Sequence, residues 1–494
     1  MEKIYQIITN TNLDFKDKRH LLCLEAENSL PYPDISTKAR TYLEEGTICD
    51  IFEGHAPYRP RYILPDYLKF MQQGSEYLNI SPPKNLFEAI SALLVIYRFV
   101  PSITGYPVYL GQIDDLLEPF LSTASPQEAE NLLRLFLINI DRTLPDAFVH
   151  MNIGPADTKV SRLILSLEKE LKHSIPNLSL KYSPETPDDL ALQAIDTALV
   201  TGKPYFVNHQ ELVNDLGKDY AIASCYNTLL IGGGSHTLVR LNLKKVAEKS
   251  NDYSDFINHK LPEAISLLVE IINARAKFIV EKAKFFETSF LAKEGLINLS
   301  KFTSMAGFFG LYEAVKQLTD LNMGKDGEAE KYALDITSHA RDLMDSYTGL
   351  YCEGYCNKIG FHAQSGIDTD IGVTAGVRIK YGEEPLLYEQ VNLEGKLHPY
   401  FNAGISDIYT FDPTAKENPA GLLKIIKTAM KKGIRIFALT TTDSEFVRVT
   451  GYLVKKTDIE KYHRGELLRE DTVKLGADSI RNNETLKRRV FGKS

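Results

Sequence analysis

Val447-Arg448-Val449-Thr450-Gly451-Tyr452-Leu453-Val454 is the stretch on which the reading of this chain turns. Its β-branched, aromatic and aliphatic residues are those of a strand, yet a glycine interrupts them. Such a glycine marks a bulge or a close approach of another backbone. Glycine also has a chemical property that no other residue shares. If its Cα loses a hydrogen atom, the radical becomes planar and is shared with the flanking amide nitrogen and carbonyl, with no Cβ to clash. A second stretch, Asp219-Tyr220-Ala221-Ile222-Ala223-Ser224-Cys225, sets a single thiol between strand-forming residues and the glycine-rich Gly232-Gly233-Gly234-Ser235-His236. Sulfur bears an unpaired electron well, and its S–H bond is comparable in strength to activated C–H bonds. A thiol and a glycine held together can therefore exchange a hydrogen atom almost without cost.

Together the two stretches resemble the signature motifs of the glycyl radical enzymes. RVxGY near the C-terminus is the radical-storage motif of that superfamily, and here it reads RVTGY, with Gly451 between Arg448 and Tyr452. The Asp219–Cys225 stretch resembles the DYAIACC loop of pyruvate formate-lyase. Ser224 falls on the first cysteine of that loop, and Cys225 falls on the second, the one the superfamily shares as its thiyl radical. Gly111-Gln112-Ile113-Asp114, followed by Leu-Leu-Glu-Pro-Phe, is similar to the GRxDxxLxPF segment, with Gln112 in place of arginine. Lys203-Pro204-Tyr205-Phe206-Val207-Asn208 is similar to the segment that precedes the cysteine loop. Chain size and the Ser224-Cys225-Tyr226-Asn227 loop look most like the YjjI family. The resemblance runs from residue 85 to the end and leaves residues 1–84 without a motif.

The resemblance implies an α/β fold. Two five-stranded half-barrels make a ten-stranded barrel wrapped by helices, and the Cys225 and Gly451 loops meet inside it. It divides the chain into an N-terminal helical region (1–84), a barrel with the cysteine loop (85–440) and a C-terminal glycine radical segment (441–494). It implies a cytoplasmic, oxygen-sensitive, anaerobic homodimer that holds no cofactor or metal stably. A separate radical-SAM activating enzyme, carrying S-adenosylmethionine and an iron–sulfur cluster, would install the radical. The substrate would be a small molecule of alcohol, aldehyde or acyl type, a coenzyme A thioester included.

Departures from the superfamily narrow this. Pyruvate formate-lyase needs both cysteines, one to carry the acyl group, and Ser224 argues against that route. Diol and choline enzymes place a glutamate base two residues after the cysteine. Here that position is Asn227, which cannot take up a proton, so dehydration of a small diol would need a non-standard base. Anaerobic ribonucleotide reductases carry a cysteine-rich zinc site near the glycine, whereas Cys356 is the last of five cysteines here. Cys352 and Cys356 are read as packing residues, since two thiols do not make a structural zinc site. Ser224, Asn227, Asn208, His209 and His236 are candidates for the substrate pocket, the histidines through proximity in sequence alone. A non-catalytic spare part that carries only the radical would need only the glycine segment, and a ligand-binding α/β protein would need neither motif.

Bulk properties agree with an enzyme in solution. The 494 residues are 44% hydrophobic and carry a net charge of −8. A nucleic-acid footprint would need a basic excess. No apolar run approaches the roughly 18 residues of a membrane span, and the N-terminus has no secretory pattern. Five sparse cysteines argue against a disulfide framework. Helices are expected over 85–100, 126–139, 262–290, 327–345 and 418–431. In the third, Ile265, Leu268, Ile272 and Ile279 share one stripe. Strands are expected around 204–208 and 219–242, and in the stretches 373–381, 406–412, 433–439 and 446–454. Strands alternating with long helices give an α/β protein in one compact body.

Overall fold

The computed structural model describes residues 2–49, 53–102, 105–363, 366–367, 369–470 and 472–492. Strands in chain order are β1 (Ile48–Cys49), β2 (Tyr62–Leu64), β3 (His150–Ile153), β4 (Asn177–Tyr182) and β5 (Tyr205–Asn208). They continue with β6 (Tyr220–Ala223), β7 (Asn227–Leu230), β8 (Gly233–Asn242), β9 (Phe302–Phe309) and β10 (Gly360–Ala363). The last five are β11 (Asp407–Phe411), β12 (Ile436–Thr441), β13 (Phe446–Arg448), β14 (Leu453–Lys455) and β15 (Val490–Phe491).

Two parallel halves form the body, as the α/β barrel requires. In one, Gln112 bridges Asn152 of β3, and β3, β4 and β5 run parallel. In the other, β8, β9 and β10 run parallel, His362 of β10 bridges Gly404 just ahead of β11, and β11 runs parallel to β12. The halves meet antiparallel where Ile436 and Phe437 of β12 face Val207 and Phe206 of β5. Beyond this seam the outer edge of β8 takes β1 and β2, both antiparallel. Parallel strands need crossover connections, and the helices between them cover the outside. Two short hairpins, β6–β7 and β13–β14, stand apart from these sheets.

The helices lie where the apolar periodicity placed them. Leu86–Tyr97, Pro126–Thr143, Ala329–Ser346 and Pro419–Lys431 are helical. The third expected helix runs over Leu261–Lys277 and continues as a wider π turn through Phe278–Lys282, short of residue 290. Its stripe of Ile265, Leu268, Ile272 and Ile279 is fully buried. The 373–381 stretch is not a strand. Its backbone is satisfied locally instead: Thr374 N donates to the Glu313 carboxylate at 3.1 Å, and Thr374 O accepts from Gly310 N at 3.0 Å. The 446–454 stretch is broken into β13 and β14 with Gly451 in the turn. No helix among the described residues is long and apolar enough to cross a membrane.

Lys203, in the segment ahead of the cysteine loop, forms an ion pair with Glu168 at 2.8 Å, both side chains fully buried. Its ammonium also donates to Pro176 O at 2.6 Å. Removing one member of such a pair strands the other charge in the core. Lys203→Met should therefore cost about 3–5 kcal/mol of folding stability, read from urea denaturation; a change below about 1 kcal/mol would contradict a paired, charged lysine here.

Candidate active site

Each hairpin presents one motif. Ala223 of β6 faces Asn227 of β7, so Ser224, Cys225 and Tyr226 form the tip of the first hairpin. Ser224 takes φ +59°, which lets the chain reverse there. In the second, Arg448 faces Leu453, and Gly451 lies in the intervening turn. The two tips meet. A Cβ built on Gly451 would overlap Cys225 Cβ and lie 2.8 Å from Cys225 Cα and 2.7 Å from Tyr226 Cδ1. Glycine is needed at 451 because its neighbour leaves no space for a side chain.

Polar side chains of β3 and β4 hold the cysteine tip. The Asn152 amide mimics a strand, accepting from Ile222 N and donating to Ile222 O, both at 2.9 Å. His150 Nδ1 donates to Ser224 O at 2.6 Å, and its Nε2 accepts from the Ser179 hydroxyl at 2.7 Å. Burial pushes this imidazole down to about 3, so it is neutral, and both ring nitrogens are matched. Lys181 donates to Tyr220 O at 2.9 Å, and burial pulls its ammonium down to about 8. Ser224 N donates to Val108 O at 2.8 Å. The Gln112 segment supports this wall: Gln112 donates to Asp114 at 2.9 Å, and Asp114 accepts from Gly154 N at 2.7 Å. Burial lifts that carboxyl to about 7.

The glycine tip is held from the same wall. Gly451 O accepts from the Tyr205 hydroxyl and from Asn177 Nδ2 at 3.2 Å. Arg448 lies 4.1 Å above the Tyr205 ring and donates to Gly202 O at the end of the helix Asp188–Thr201. A cation at that end complements the helix dipole. Arg488 donates to Arg448 O and Val449 O, both at 2.5 Å. Tyr452 is buried and packs against Phe148, ring centroids 5.0 Å apart.

The remaining sequence candidates divide. Asn227 donates to Ala223 O at 3.1 Å and to Cys225 Sγ at 3.7 Å, so it lies at the thiol. Asn208 donates to Met430 O and Ile434 O, at 3.1 and 3.2 Å. His209 pairs with the Tyr220 hydroxyl at 2.9 Å. His236 pairs with Tyr351 O at 3.0 Å among the rings of Phe286 and Phe302. These three are engaged away from the two tips. Cys352 is buried and accepts from Ser304 N at 3.2 Å, whereas Cys356 is exposed and does not pack.

Sequence reading passed over His150, Asn152, Asn177, Lys181, Tyr205, Arg488 and His362. A signal for several of them was present. Strands β3 and β4 read His-Met-Asn-Ile and Asn-Leu-Ser-Leu-Lys-Tyr, polar at every second position. Parallel strands covered on both faces are normally apolar throughout, so alternating polar residues there mark an inner face with something to hold.

The model of the family described as glycyl radical enzyme YjjI-like matches residues 13–491. The chain belongs to that family. Protein YjjI of Escherichia coli (strain K12) is 43% identical over 99% of this chain and 95% of its own length. Among solved structures, the B12-independent glycerol dehydratase of Clostridium butyricum superposes with a TM-score of 0.69 at 11% identity, over 99% of this chain and 88% of that one. The anaerobic ribonucleotide reductase of Thermotoga maritima gives 0.67 at 13% identity, over 94% and 92%. At such identities these two likenesses speak for the fold alone. The YjjI-like match reaches back to residue 13, well before the motifs begin.

The contact between the tips predicts a stability effect independent of any radical. Gly451→Ala should destabilise the unactivated protein by about 1–3 kcal/mol through overpacking. Gly327 has nothing within 4 Å of a built Cβ. Gly327→Ala should therefore stay within about 0.5 kcal/mol of the parent. Equal urea midpoints for all three proteins would refute the close approach.

Proposed function

We propose that Gly451 stores an unpaired electron between turnovers and that Cys225 passes it to a small organic substrate. The observation that carries this reading is the contact of the two tips, in which a Gly451 Cβ would overlap Cys225 Cβ. The Gly451 radical takes the hydrogen atom of the Cys225 thiol, leaving a thiyl radical. The thiyl takes a hydrogen atom from a substrate carbon. The substrate radical fragments or rearranges, and the product radical takes a hydrogen atom back from Cys225. Finally the thiyl regains its hydrogen from Gly451. Every transfer moves one proton with one electron, so no net charge crosses the buried site. Burial of both residues supports such chemistry by excluding water and oxygen.

The reaction class follows from the departures in the cysteine loop. Ser224 offers no second thiol, and its carbonyl is committed to His150. Asn227 supplies an N–H toward the sulfur rather than a carboxylate. A lyase or transferase acting on an alcohol, an aldehyde or an acyl group, a coenzyme A thioester among them, fits better than the two-cysteine route. Activation is assigned to a separate radical-SAM enzyme that brings S-adenosylmethionine and an iron–sulfur cluster, acting on a cytoplasmic homodimer under anaerobic conditions. Gly451 is buried, so that enzyme can reach it only if the hairpin withdraws. Val447, Val449, Tyr452, Val454, Val473 and Ile480 cluster together against Ala147 and Phe148, so withdrawal must break that contact with the body.

Two outcomes test the assignment. Anaerobically activated Cys225→Ser should keep the glycyl doublet in its EPR spectrum and lose turnover, because an alkoxyl radical is too costly to form from a glycyl radical. Turnover in that variant would move the chemistry elsewhere. Activated wild-type protein exposed to air should break at Gly451 and release Tyr452–Ser494, while protein never activated stays whole. Mass spectrometry showing a cut at another residue would exclude Gly451 as the resting place of the spin.

A further inference from the structure

His362 stands opposite the wall that holds the two tips. Its neighbour Phe361 packs outward, its ring 4.5 Å from that of Phe308 and 4.6 Å from that of Phe401. Successive strand residues point to opposite faces, so His362 points inward. Both residues beside it in register are glycines, Gly307 on β9 and Gly404 ahead of β11. A Cβ on Gly404 would lie 2.6 Å from Tyr226 O and 2.8 Å from His362 Cδ2. The bare backbone lets the imidazole lie flat against the Tyr226 ring, centroids 5.3 Å apart and planes 7° apart. Tyr226 follows Cys225, and its ring edge borders Gly451.

This histidine is fully buried, and neither ring nitrogen has a hydrogen-bond partner among the described residues. The contrast with His150, on the other side of the same loop with both nitrogens matched, is direct. Buried polar groups without partners are costly and rare, and two on one ring stacked on the residue after Cys225 call for a ligand. Arg378 adds a second open group. Its Nε and Nη2 are fixed by Ser406 O at 3.1 and 2.6 Å, and Nε also faces Asp407 at 3.1 Å. Its Nη1 has no partner among the described residues, and its guanidinium lies 5.8 Å from the Tyr226 ring centroid.

Burial, with Arg61 and Arg378 nearby, pushes the His362 imidazole down to about 3, so it stays neutral with one N–H to donate.

We infer that His362 and Arg378 form an anion subsite beside Cys225, which takes the carboxylate or phosphate-ester group of the substrate. The inference rests on the radical reading only in calling the ligand a substrate. An anion there would satisfy the imidazole N–H and the open guanidinium nitrogen together.

Binding to the unactivated full chain tests this without any radical. Calorimetry would compare lactate with 1,2-propanediol, which differ in a carboxylate against a hydroxymethyl group, and glycerol phosphate with glycerol. In at least one pair the anion should bind about tenfold or more tightly than its neutral partner; the pair that responds identifies carboxylate or phosphate. His362→Gln, checked for an unchanged melting temperature, should lose most of that preference. Neutral partners binding as well as the anions in both pairs, no anion binding at all, or full preference retained in folded His362→Gln would each overturn the inference. None of these results bears on the EPR signal of activated protein, so the two readings fail separately.

Discussion

The arrangement depends on one contact, that of the Gly451 backbone against Cys225, too close for any side chain at 451. Two hairpin tips cannot be pressed together in a dry interior unless their freed peptide groups find partners. An unmatched buried peptide group costs about 1–3 kcal/mol. The strands β3, β4 and β5 answer with one polar face. His150, Asn152 and Lys181 serve the cysteine tip, and Asn177 and Tyr205 serve Gly451 O. On the opposite face of the same strands, Met151, Ile153, Leu178, Leu180 and Phe206 belong to the main core.

This division of labour explains a feature that is otherwise unfavourable. Polar residues on strands buried on both sides weaken a core unless every group is matched. Here the matched groups fix the position of a thiol and a Cα hydrogen relative to each other. Hydrogen-atom transfer falls off steeply with distance, so for the proposed relay rigidity of the two tips is what the chemistry requires. The arginines extend the same logic. Arg488 takes the carbonyls of residues 448 and 449, and Arg448 braces Tyr205, which in turn holds Gly451. The conspicuous arginine of the RVTGY motif is thus a brace one residue removed from the glycine it supports.

On one side of the loop His150 has both ring nitrogens matched. On the other, both ring nitrogens of His362 and Nη1 of Arg378 have no partner among the described residues. The asymmetry separates two tasks. On the function proposed above, one wall immobilises the radical relay, and the other is left open for the substrate. Glycines at 307 and 404 belong to the second task, because they remove side chains on both sides of His362.

Local sequence determined the elements and the pair proposed to react. Apolar periodicity located the stripe Ile265, Leu268, Ile272 and Ile279, because a helix that covers a sheet must bury one face whatever it packs against. The RVTGY and DYAIASC stretches singled out Gly451 and Cys225, since radical chemistry demands those residue types. Tertiary structure alone decided the rest. The 373–381 stretch has strand composition but loses its ladder to the Glu313 carboxylate and neighbouring turns, a competition between partners distant in sequence. His209 and His236 were near the thiol in sequence and turned elsewhere, whereas His362, far along the chain, came beside Tyr226. Strand register sets which side chains share a layer, and register depends on long-range pairing that no local pattern encodes.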